Sequence, residues 1–384
     1  MGPLNGLTII EIAGLGPGPF GAMLLADLGA EIIRVERPGG NMFTAAQNPK
    51  LDFLNRNKRC LSVDLKNAGG VETILELLEK ADGLLEGNRP GVMERLGLGP
   101  TVCLERNPAL VFGRMTGWGQ EGPMALEAGH DINYIALAGA LHGIGRAGEK
   151  PAIPLNLVGD FGGGGLMLAF GMVCGLLEAK TSGKGQVVDA AMIDGAATLM
   201  ASTFGANQVG FWTDERGTNL LDSGSHFYEV YETADGKYIS LGSIEPQFYN
   251  ALLEKLGDDA QYFQNQFDAE NWPAMKDKMT EIFKRKTRDE WDEIFAGANA
   301  CYAPVLSMEE VRHHPHHQAR GTFLDDGELW QPAPAPRFSR TPGQVTRHAA
   351  NIGEHSEEIL RDFGFSEEDI AARVASGAVH LQSS

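Results

Sequence analysis

The sequence predicts an α/β protein with a large domain, built on a doubly wound and mostly parallel sheet, and a smaller α+β domain. Short apolar strands alternate with helices over residues 1–200. This alternation is typical of parallel sheets, because each strand needs a crossover connection before the next can run in the same direction. Beyond a segment rich in Gly, Asn and Asp, the pattern changes to a β-hairpin followed by amphipathic helices. The chain therefore contains two architectures in succession.

The first elements are a strand, a glycine turn and a helix. An apolar strand over residues 7–13 precedes the turn at 14–19, and the helix at 20–28 ends where Gly29 can adopt the left-handed conformation. The alternation then continues with strands expected at residues 31–35, 61–63, 83–86, 110–115 and 186–190, and with helices at 69–80 and 166–180.

The second part begins with a hairpin. Two strand patterns, at residues 227–233 and 237–241, flank the turn Ala234-Asp235-Gly236. Helices are expected at 246–256, 272–283 and 287–296, and later at 356–363 and 366–375. We therefore predict a large domain (1–200), a linker (201–225), a small domain (226–320), and a linker with C-terminal helices that return to the large domain (321–384).

Composition excludes some classes of partner. The formal net charge is −19 over 384 residues, and the pI is about 4.9. Nucleic acids and anionic membranes bind basic surfaces, so neither is an expected partner. The four cysteines have no paired spacing, which indicates a reducing compartment and neither a disulfide framework nor a zinc site.

Targeting signals are not evident. The first residues lack the basic region of a signal peptide, and the final Gln382-Ser383-Ser384 is not a peroxisomal tripeptide. The apolar run at residues 166–177 is too short to span a bilayer and is expected to be a buried helix. We expect a cytoplasmic protein without membrane insertion.

The first turn raises the alternative of nucleotide binding. Gly14-Leu15-Gly16-Pro17-Gly18-Pro19 follows a strand and precedes a helix, and Glu36 lies about twenty residues further on. The dinucleotide fingerprint G-x-G-x-x-G needs a third glycine where this chain has Pro19. Two prolines also remove N–H donors from the loop. A tight strand-to-helix turn is the favoured interpretation, and NAD is not expected.

His130 and Asp160 form the strongest candidate pair. Each is expected in a glycine-bordered loop before an apolar segment, and two groups of adjustable pKa at the ends of elements suit two-base proton transfer. Structural alternatives remain for both. His130 could be a structural histidine, or could belong to a helix start with Asp131 as the N-cap, and Asp160 could be the N-cap of the next helix.

Other polar groups have simpler explanations. Glu245 precedes Pro246 at a strand-to-helix junction and could complement the helix dipole. The cluster at residues 313–317 contains four histidines, but its proline interrupts helical spacing, so a solvated loop is expected in place of a metal site. Basic residues at the ends of strands are either ordinary surface charges or ligands for an anion.

Several long motifs together carry a resemblance. They lie at residues 86–99, 114–120, 129–134, 156–165, 183–192 and 244–249, and more loosely at 335–339. Read together, they resemble the type III CoA-transferase superfamily, and within it the α-methylacyl-CoA racemase branch. Gly129-His130-Asp131-Ile132-Asn133-Tyr134 distinguishes this branch, because the transferase branch does not carry that segment.

The resemblance implies an interlocked homodimer with CoA on the large domain. It implies that His130 and Asp160 are the catalytic acid–base pair and that Glu245, from the other subunit, orients His130. It also implies substrate or CoA contacts from fourteen residues: Arg37, Val63, Asp64, Leu65, Lys66, Gly87, Asn88, Arg89, Arg95, Gly129, Asp131, Ile132, Asn133 and Tyr134.

The activity implied by the resemblance is racemisation of 2-methylacyl-CoA thioesters by 1,1-proton transfer at C2, with no metal and no redox cofactor. For the enolate oxygen, we expect backbone N–H groups near Asp160 and in the glycine run 162–165 to act as donors. Two alternatives remain: a CoA-transferase that uses Asp160 as a nucleophile, and a non-catalytic acyl-CoA binder.

Overall fold

A computed structural model describes residues 2–40, 48–325, 327 and 329–382. The chain forms two compact units. The first comprises Met1–Ala138, Leu155–Leu199 and Phe323–Ser384, and the second comprises Gly139–Pro154 and Met200–Thr322. Residues 139–154 therefore group with the second unit, although we expected them in the large domain. The domain limits expected from the sequence stay a prediction.

The first eight strands lie close to their predicted positions, although the third begins three residues earlier than predicted, and the last four were not predicted. In the described part of the chain the strands are β1 Thr8–Ile12, β2 Glu31–Glu36, β3 Lys58–Val63, β4 Gly83–Glu86, β5 Val111–Thr116, β6 Val187–Ala191, β7 Tyr228–Glu232, β8 Tyr238–Gly242, β9 Tyr302–Val305, β10 Phe323–Asp325, β11 Trp330–Pro332 and β12 Val379–His380.

Helices fill most of the intervals between strands. They are α1 Pro17–Asp27, α2 Ala68–Leu78, α3 Val92–Arg95, α4 Pro100–Arg106, α5 Asp131–Leu137, α6 Ala140–Gly143, α7 Leu166–Ser182, α8 Met192–Leu199, α9 Ala201–Gln208, α10 Pro246–Leu256, α11 Trp272–Phe283, α12 Arg288–Phe295, α13 Met308–Val311, α14 Pro315–Arg320, α15 Ser356–Asp362 and α16 Glu367–Ala375. A π-helical turn, Leu157–Gly165, runs directly into α7.

The sheet of the first unit has the order β12-β3-β2-β1-β4-β5-β6. All pairs are parallel except β12 with β3. The strand order reverses between β1 and β4, and ligands of open α/β sheets bind beside the carboxyl ends of strands at such a reversal. The predicted α/β fold with a doubly wound, mostly parallel sheet is confirmed.

Each face of this sheet carries its own hydrophobic core. Ile9 packs on the face covered by α1 and α7, whereas Ile10 packs on the face covered by α2 and α15. Successive strand residues point to opposite faces, so continuous apolar runs are what a sheet buried on both sides requires.

The second unit is an antiparallel sheet, of order β7-β8-β9, that shares an aromatic core with its helices. The hairpin and the helices α10, α11 and α12 occur where predicted. The expected linker 201–225 is more ordered than its composition suggested. It contains α9 and a compact loop in which the Asp222 carboxylate accepts the N–H groups of Gly217, Asn219 and Gly224. Polar side chains that bond backbone groups order such a loop without an apolar pattern.

Two prolines start helices where we expected loops. Pro17 lies at the first position of α1, three residues before the predicted start. Pro315 begins α14, so the histidine cluster is partly helical and the expected loop is wrong. Proline is tolerated at the first helical position because its missing N–H would have no helical partner there.

One described segment, Leu157–Ser182, has the length and apolar composition of a membrane-crossing helix, a test that core helices also satisfy. In this structure Leu168, Met172 and Leu176 on one face of the helix are buried in the core beneath the sheet, whereas Leu166, Phe170 and Leu177 are exposed. The helix occurs where predicted, but it is buried on one face only.

Candidate active site

The loop that carries His130 is fixed by an aromatic pair. The rings of Trp118 and Tyr134 meet edge to face at 4.8 Å, and the Tyr134 hydroxyl donates a hydrogen bond to the Gly129 carbonyl oxygen. A Cβ atom at Gly117 would lie 2.1 Å from the Tyr134 ring, so only glycine admits the ring. The ring therefore holds the backbone immediately before His130.

His130 occupies the N-cap position of α5 with an extended backbone (φ −133°, ψ 174°). Its N–H donates to Asn133 Oδ1 at 3.1 Å, and its side chain is exposed. The helix-start alternative is therefore correct for the backbone, although His130 and not Asp131 is the N-cap. This cap position leaves the imidazole at the surface, where a ligand can reach it.

Asp160 lies in the π-helical turn and not in the predicted loop. The glycines that suggested a loop allow close packing: a Cβ atom at Gly163 would lie 2.6 Å from Ala196 N, and one at Gly165 would lie 2.5 Å from Pro17 O. The run is thus needed for contacts with α8 and α1. Neither the loop expected around Asp160 nor its expected role as an N-cap is found.

The Asp160 carboxylate is half-buried at the start of α1. Asn156 Nδ2 donates to its Oδ2 at 3.1 Å, and a Cβ atom at Gly16 would lie 3.3 Å from the same oxygen. Gly16 has a φ of 65°, in the left-handed region. The turn after β1 therefore borders the proposed base, which gives that turn a role that requires no nucleotide.

Asp131 links the two candidate groups. Its carboxylate is buried, and its Oδ2 accepts the backbone N–H of Asp160 at 2.7 Å. A Cβ atom at Gly159 would lie 2.5 Å from that oxygen. Because Asp131 directly follows His130, this hydrogen bond ties the segment that bears the imidazole to the turn that bears the carboxyl group.

The surroundings adjust the acidity of Asp160. Burial raises the pKa of the Asp160 carboxyl group, and the neighbouring Asp131 carboxylate raises it further, while the Asn156 hydrogen bond and His130 act in the opposite direction. Burial and the charge of Asp160 also raise the pKa of Tyr134, against the influence of Arg89. A carboxyl group with a raised pKa is suited to general acid–base catalysis near neutral pH.

The expected enolate donors need a correction. The N–H of Asp160 donates to Asp131, and the N–H of Phe161 donates to the Asn156 carbonyl oxygen at 3.3 Å. Both amides are therefore already used within the fold. The first helical hydrogen bond of α5 runs from the Asn133 N–H to the His130 carbonyl oxygen. The N–H groups of Asp131 and Ile132 come before this first helical donor in the chain.

Seven of the fourteen predicted CoA or substrate contacts follow the carboxyl ends of parallel strands. Arg37 follows β2, Asp64, Leu65 and Lys66 follow β3, and Gly87–Arg89 follow β4. Arg37 Nε donates to the Gly40 carbonyl oxygen at 2.7 Å. The fold thus gathers these residues at the edge of the sheet where ligands of such folds bind, and Arg89 acts electrostatically on Tyr134 at the site.

Other predicted contacts are partly or wholly interior. Val63 is buried at the end of β3, and Leu65 packs against the core. Asn88 donates its N–H to Glu86 Oε2 at 2.6 Å. Asp131 and Tyr134 are buried with the partners described above. Arg95 is exposed at the end of α3, as are Ile132 and Asn133 on the first turn of α5. Their assignment to CoA or substrate stays a prediction.

Glu245 belongs to the second unit. It is exposed and occupies the N-cap position of α10, directly before Pro246, as the junction predicted. Its side chain makes no capping hydrogen bond. Burial and the Glu245 charge together raise the pKa of Cys301.

Three residues around Asp160 were not predicted as parts of the site from the sequence. Asn156 bonds the carboxylate, Gly159 makes room for Asp131, and Gly16 borders the site. Asn156 lies four residues before Asp160, a spacing that places two side chains on one helical face. That signal required a helical interpretation of the glycine run.

Over the residues that the structure describes, no group of three or more His, Cys, Asp or Glu side chains is arranged to hold a metal ion. This includes the described histidine cluster at α14.

Comparison with known proteins gives the class to which this protein belongs. Residues 4–356 match CoA-transferase family III, and the chain belongs to this family. Alpha-methylacyl-CoA racemase from Mus musculus is 47% identical over 96% of this chain and 95% of its own length. The Homo sapiens alpha-methylacyl-CoA racemase is 46% identical over the same shares. The family resemblance inferred from the motifs is confirmed.

More distant relatives include other activities and solved structures. The Homo sapiens succinyl-CoA:glutarate CoA-transferase is 27% identical over 98% of this chain and 90% of its own. A crystal structure of a CAIB/BAIF family protein from Brucella suis superposes with a TM-score of 0.81, at 25% identity, over 94% of this chain and 99% of that one. The crystal structure of Rv3272 from M. tuberculosis gives 0.77 at 27% identity, over 93% and 98%.

Proposed function

We propose that this protein is an isomerase that interconverts the (R) and (S) forms of 2-methylacyl-CoA thioesters. One base removes the C2 proton to give an enolate, and a conjugate acid returns a proton to the opposite face. The relatives named alpha-methylacyl-CoA racemase cover nearly the whole chain. The observation that carries the proposal is the hydrogen bond from Asp160 N to Asp131, which ties the segment that bears the His130 imidazole to the turn that bears a carboxyl group of raised pKa.

In the proposed mechanism, His130 and Asp160 act on opposite faces of C2 and exchange roles with the handedness of the substrate. Each positioned acid or base contributes about 10² to 10⁴-fold in rate. That is too little for a weak carbon acid, so the enolate oxygen must also be stabilised. We assign that role to the N–H groups of Asp131 and Ile132, which lie beside His130 ahead of the first hydrogen bond of α5.

The CoA moiety is proposed to bind at the carboxyl edge of the sheet. Arg37, Lys66, Arg89 and Arg95 supply positive charge for its phosphates, in a chain whose net charge is −19. A local basic patch is needed, because the overall field of the protein repels anions. The reaction moves only a proton, so we propose that it requires neither a metal nor a redox cofactor.

We further propose a homodimer in which Glu245 of the partner subunit orients the His130 imidazole through its second ring nitrogen. A stripe of exposed apolar side chains on α7 supports an association surface: Leu166, Phe170, Val173 and Leu177. These residues recur at helical spacing along one face, and contiguous exposed apolar surfaces are typical of interfaces. A cytoplasmic location remains part of this proposal.

The test is proton exchange at C2. A single epimer of a 2-methylacyl-CoA is incubated with the protein in D₂O, and the C2 signal is followed by NMR together with the ratio of epimers. We expect the proton signal to be lost as the second epimer appears. An unchanged spectrum at high protein concentration would contradict the proposal.

The CoA-transferase relatives motivate one alternative, in which Asp160 attacks the thioester and forms an acyl anhydride. Hydroxylamine trapping of an acyl group on Asp160, with turnover that depends on an acceptor acid, would favour the transferase. Binding of the CoA ester without any C2 exchange or transfer would favour a non-catalytic binder.

A further inference from the structure

We propose that the buried carboxylate of Asp131 is a positioning residue of the proton-transfer site, which holds the backbone of Asp160 and sets the electrostatic surroundings of its carboxyl group. This inference rests on the proposed function. It assigns to the Asp131 side chain a role that acts through Asp160, in addition to the substrate contact proposed for its backbone N–H.

The geometry around Asp131 joins the segments that bear His130 and Asp160. Asp131 is the first residue of α5, and only 6% of its surface is exposed. Its Oδ2 accepts the Asp160 N–H at 2.7 Å. The chain makes room for this contact with Gly159, where a Cβ atom would lie 2.5 Å from Oδ2. One hydrogen bond therefore sets the separation between the His130 and Asp160 segments, and a side chain larger than that of Gly159 would prevent this bond.

The Asp131 carboxylate is incompletely partnered. Asp131 Oδ1 is buried and has no hydrogen-bond partner among the residues that the structure describes. A buried polar oxygen without a partner costs on the order of 1–3 kcal/mol. A purely structural clamp would be served as well by the neutral amide of asparagine, whose side-chain oxygen also accepts an N–H.

Asp131 also acts electrostatically on the Asp160 carboxyl group. The charged and titratable groups that act on it are Asp131, on α5, and His130, directly before α5. Tyr134, also on α5, responds to both aspartates and to Arg89. Like charges disfavour each other, so a carboxylate at this position keeps Asp160 able to hold a proton. A base that must also serve as an acid needs this property.

Asp131→Asn is the discriminating variant. It keeps the size of the side chain and an oxygen for the Asp160 N–H, but removes the charge. The pH profile of kcat/KM for a two-base racemase has an acid limb set by protonation of the carboxyl member, although each apparent value belongs to the pair. Without the Asp131 charge, Asp160 loses its proton at lower pH. We expect the acid limb to move down by about one pH unit, equally for both epimers because their equilibrium is unchanged.

A second readout is independent of turnover. Carbon-13 NMR of protein labelled at aspartate side chains follows the Asp160 signal, assigned by its loss in Asp160→Asn. The same downward shift is expected in Asp131→Asn. Absence of C2 exchange in the wild-type protein would contradict the proposed function, whereas the titration would still test Asp131.

Asp194→Asn is the matched control, because Asp194 is an exposed aspartate in the first turn of α8, in the same unit. It should leave the acid limb and the Asp160 titration unchanged. If Asp131→Asn lowers the melting temperature and the rate but leaves both titrations at their wild-type positions, Asp131 is only structural and the inference is wrong.

Discussion

Two regions of the first unit keep charged side chains away from solvent, and they compensate the charges differently. The charged cluster, defined here as Glu11, Arg34, Glu36 and Lys58, joins the strands β1, β2 and β3. Lys58 Nζ lies 2.7 Å from Glu11 Oε2, and Arg34 lies 2.7 Å from Glu36. At the proton-transfer site, by contrast, the buried Asp131 carboxylate faces a second carboxyl group.

This difference distinguishes structural ion pairs from a group that transfers protons. In the charged cluster each carboxylate has a cation, and Lys58 also donates to the Pro19 carbonyl oxygen in α1 at 3.1 Å. Burial lowers the pKa of Lys58, against the attraction of Glu11. Around Asp160, burial and a like charge both favour the protonated form. A site that must gain and release a proton needs this incomplete compensation, whereas a structural pair does not.

The largest expected effect comes from removing either member of the catalytic pair. Asp160→Asn and His130→Gln should each lower the rate of racemisation by about 10² to 10⁴-fold. Because one base remains in each variant, each should still exchange the C2 proton of one epimer with D₂O without inversion, and the two variants should prefer opposite epimers. NMR of each pure epimer measures this.

Circular dichroism and binding of the CoA ester should be unchanged in both variants. The lost rate then reflects chemistry and not folding, which keeps the comparison with the charged cluster valid. Racemisation at more than a tenth of the wild-type rate in either variant would contradict the two-base assignment.

The fold could be predicted from the sequence more completely than the candidate site. Apolar strand runs and helix stops predicted β1, β2, β4 and α10 to within a residue or two, because sheet burial and capping are local properties of sequence. The glycine run could not be interpreted correctly in this way. Its glycines are required by contacts with α8 and α1, and such long-range packing leaves no local signal.

The same limit applies within the site. The sequence predicted His130 and Asp160 from their residue types and motifs. The role of Asp131 in joining them depends on a hydrogen bond between residues 29 positions apart. Two of the expected enolate donors were unsuitable for a related reason, since the partners of the Asp160 and Phe161 amides are decided only when the π-helical turn forms.

The second prediction concerns the charged cluster. Lys58→Met leaves the buried Glu11 carboxylate without its cation, and breaking such a pair costs about 3–5 kcal/mol of unfolding free energy. Urea denaturation measures the loss. The folded fraction should keep the wild-type acid limb of its pH profile, because Asp131 and Asp160 are unaltered.

The double variant Glu11→Leu/Lys58→Met tests the cause. Replacing both partners by apolar side chains removes the uncompensated charge, so most of the lost stability should return. A double variant as unstable as Lys58→Met would show that the loss comes from packing or from the bond to Pro19.

The smallest expected effect has the opposite sign to that of the Asp131 charge. Asn156 Nδ2 donates to Asp160 Oδ2 at 3.1 Å and so favours the ionised carboxylate. In Asn156→Ala this donor is lost, and Asp160 should hold its proton to higher pH. The acid limb of kcat/KM should therefore move up by about half a pH unit, within the range that one hydrogen bond produces.

Asn207→Ala, which removes an amide donor to Trp212 in the second unit, is the control and should leave the limb in place. A downward shift in Asn156→Ala would mean that the amide does not stabilise the ionised form. The contrast between a compensated cluster and an incompletely compensated site would then lose its electrostatic basis.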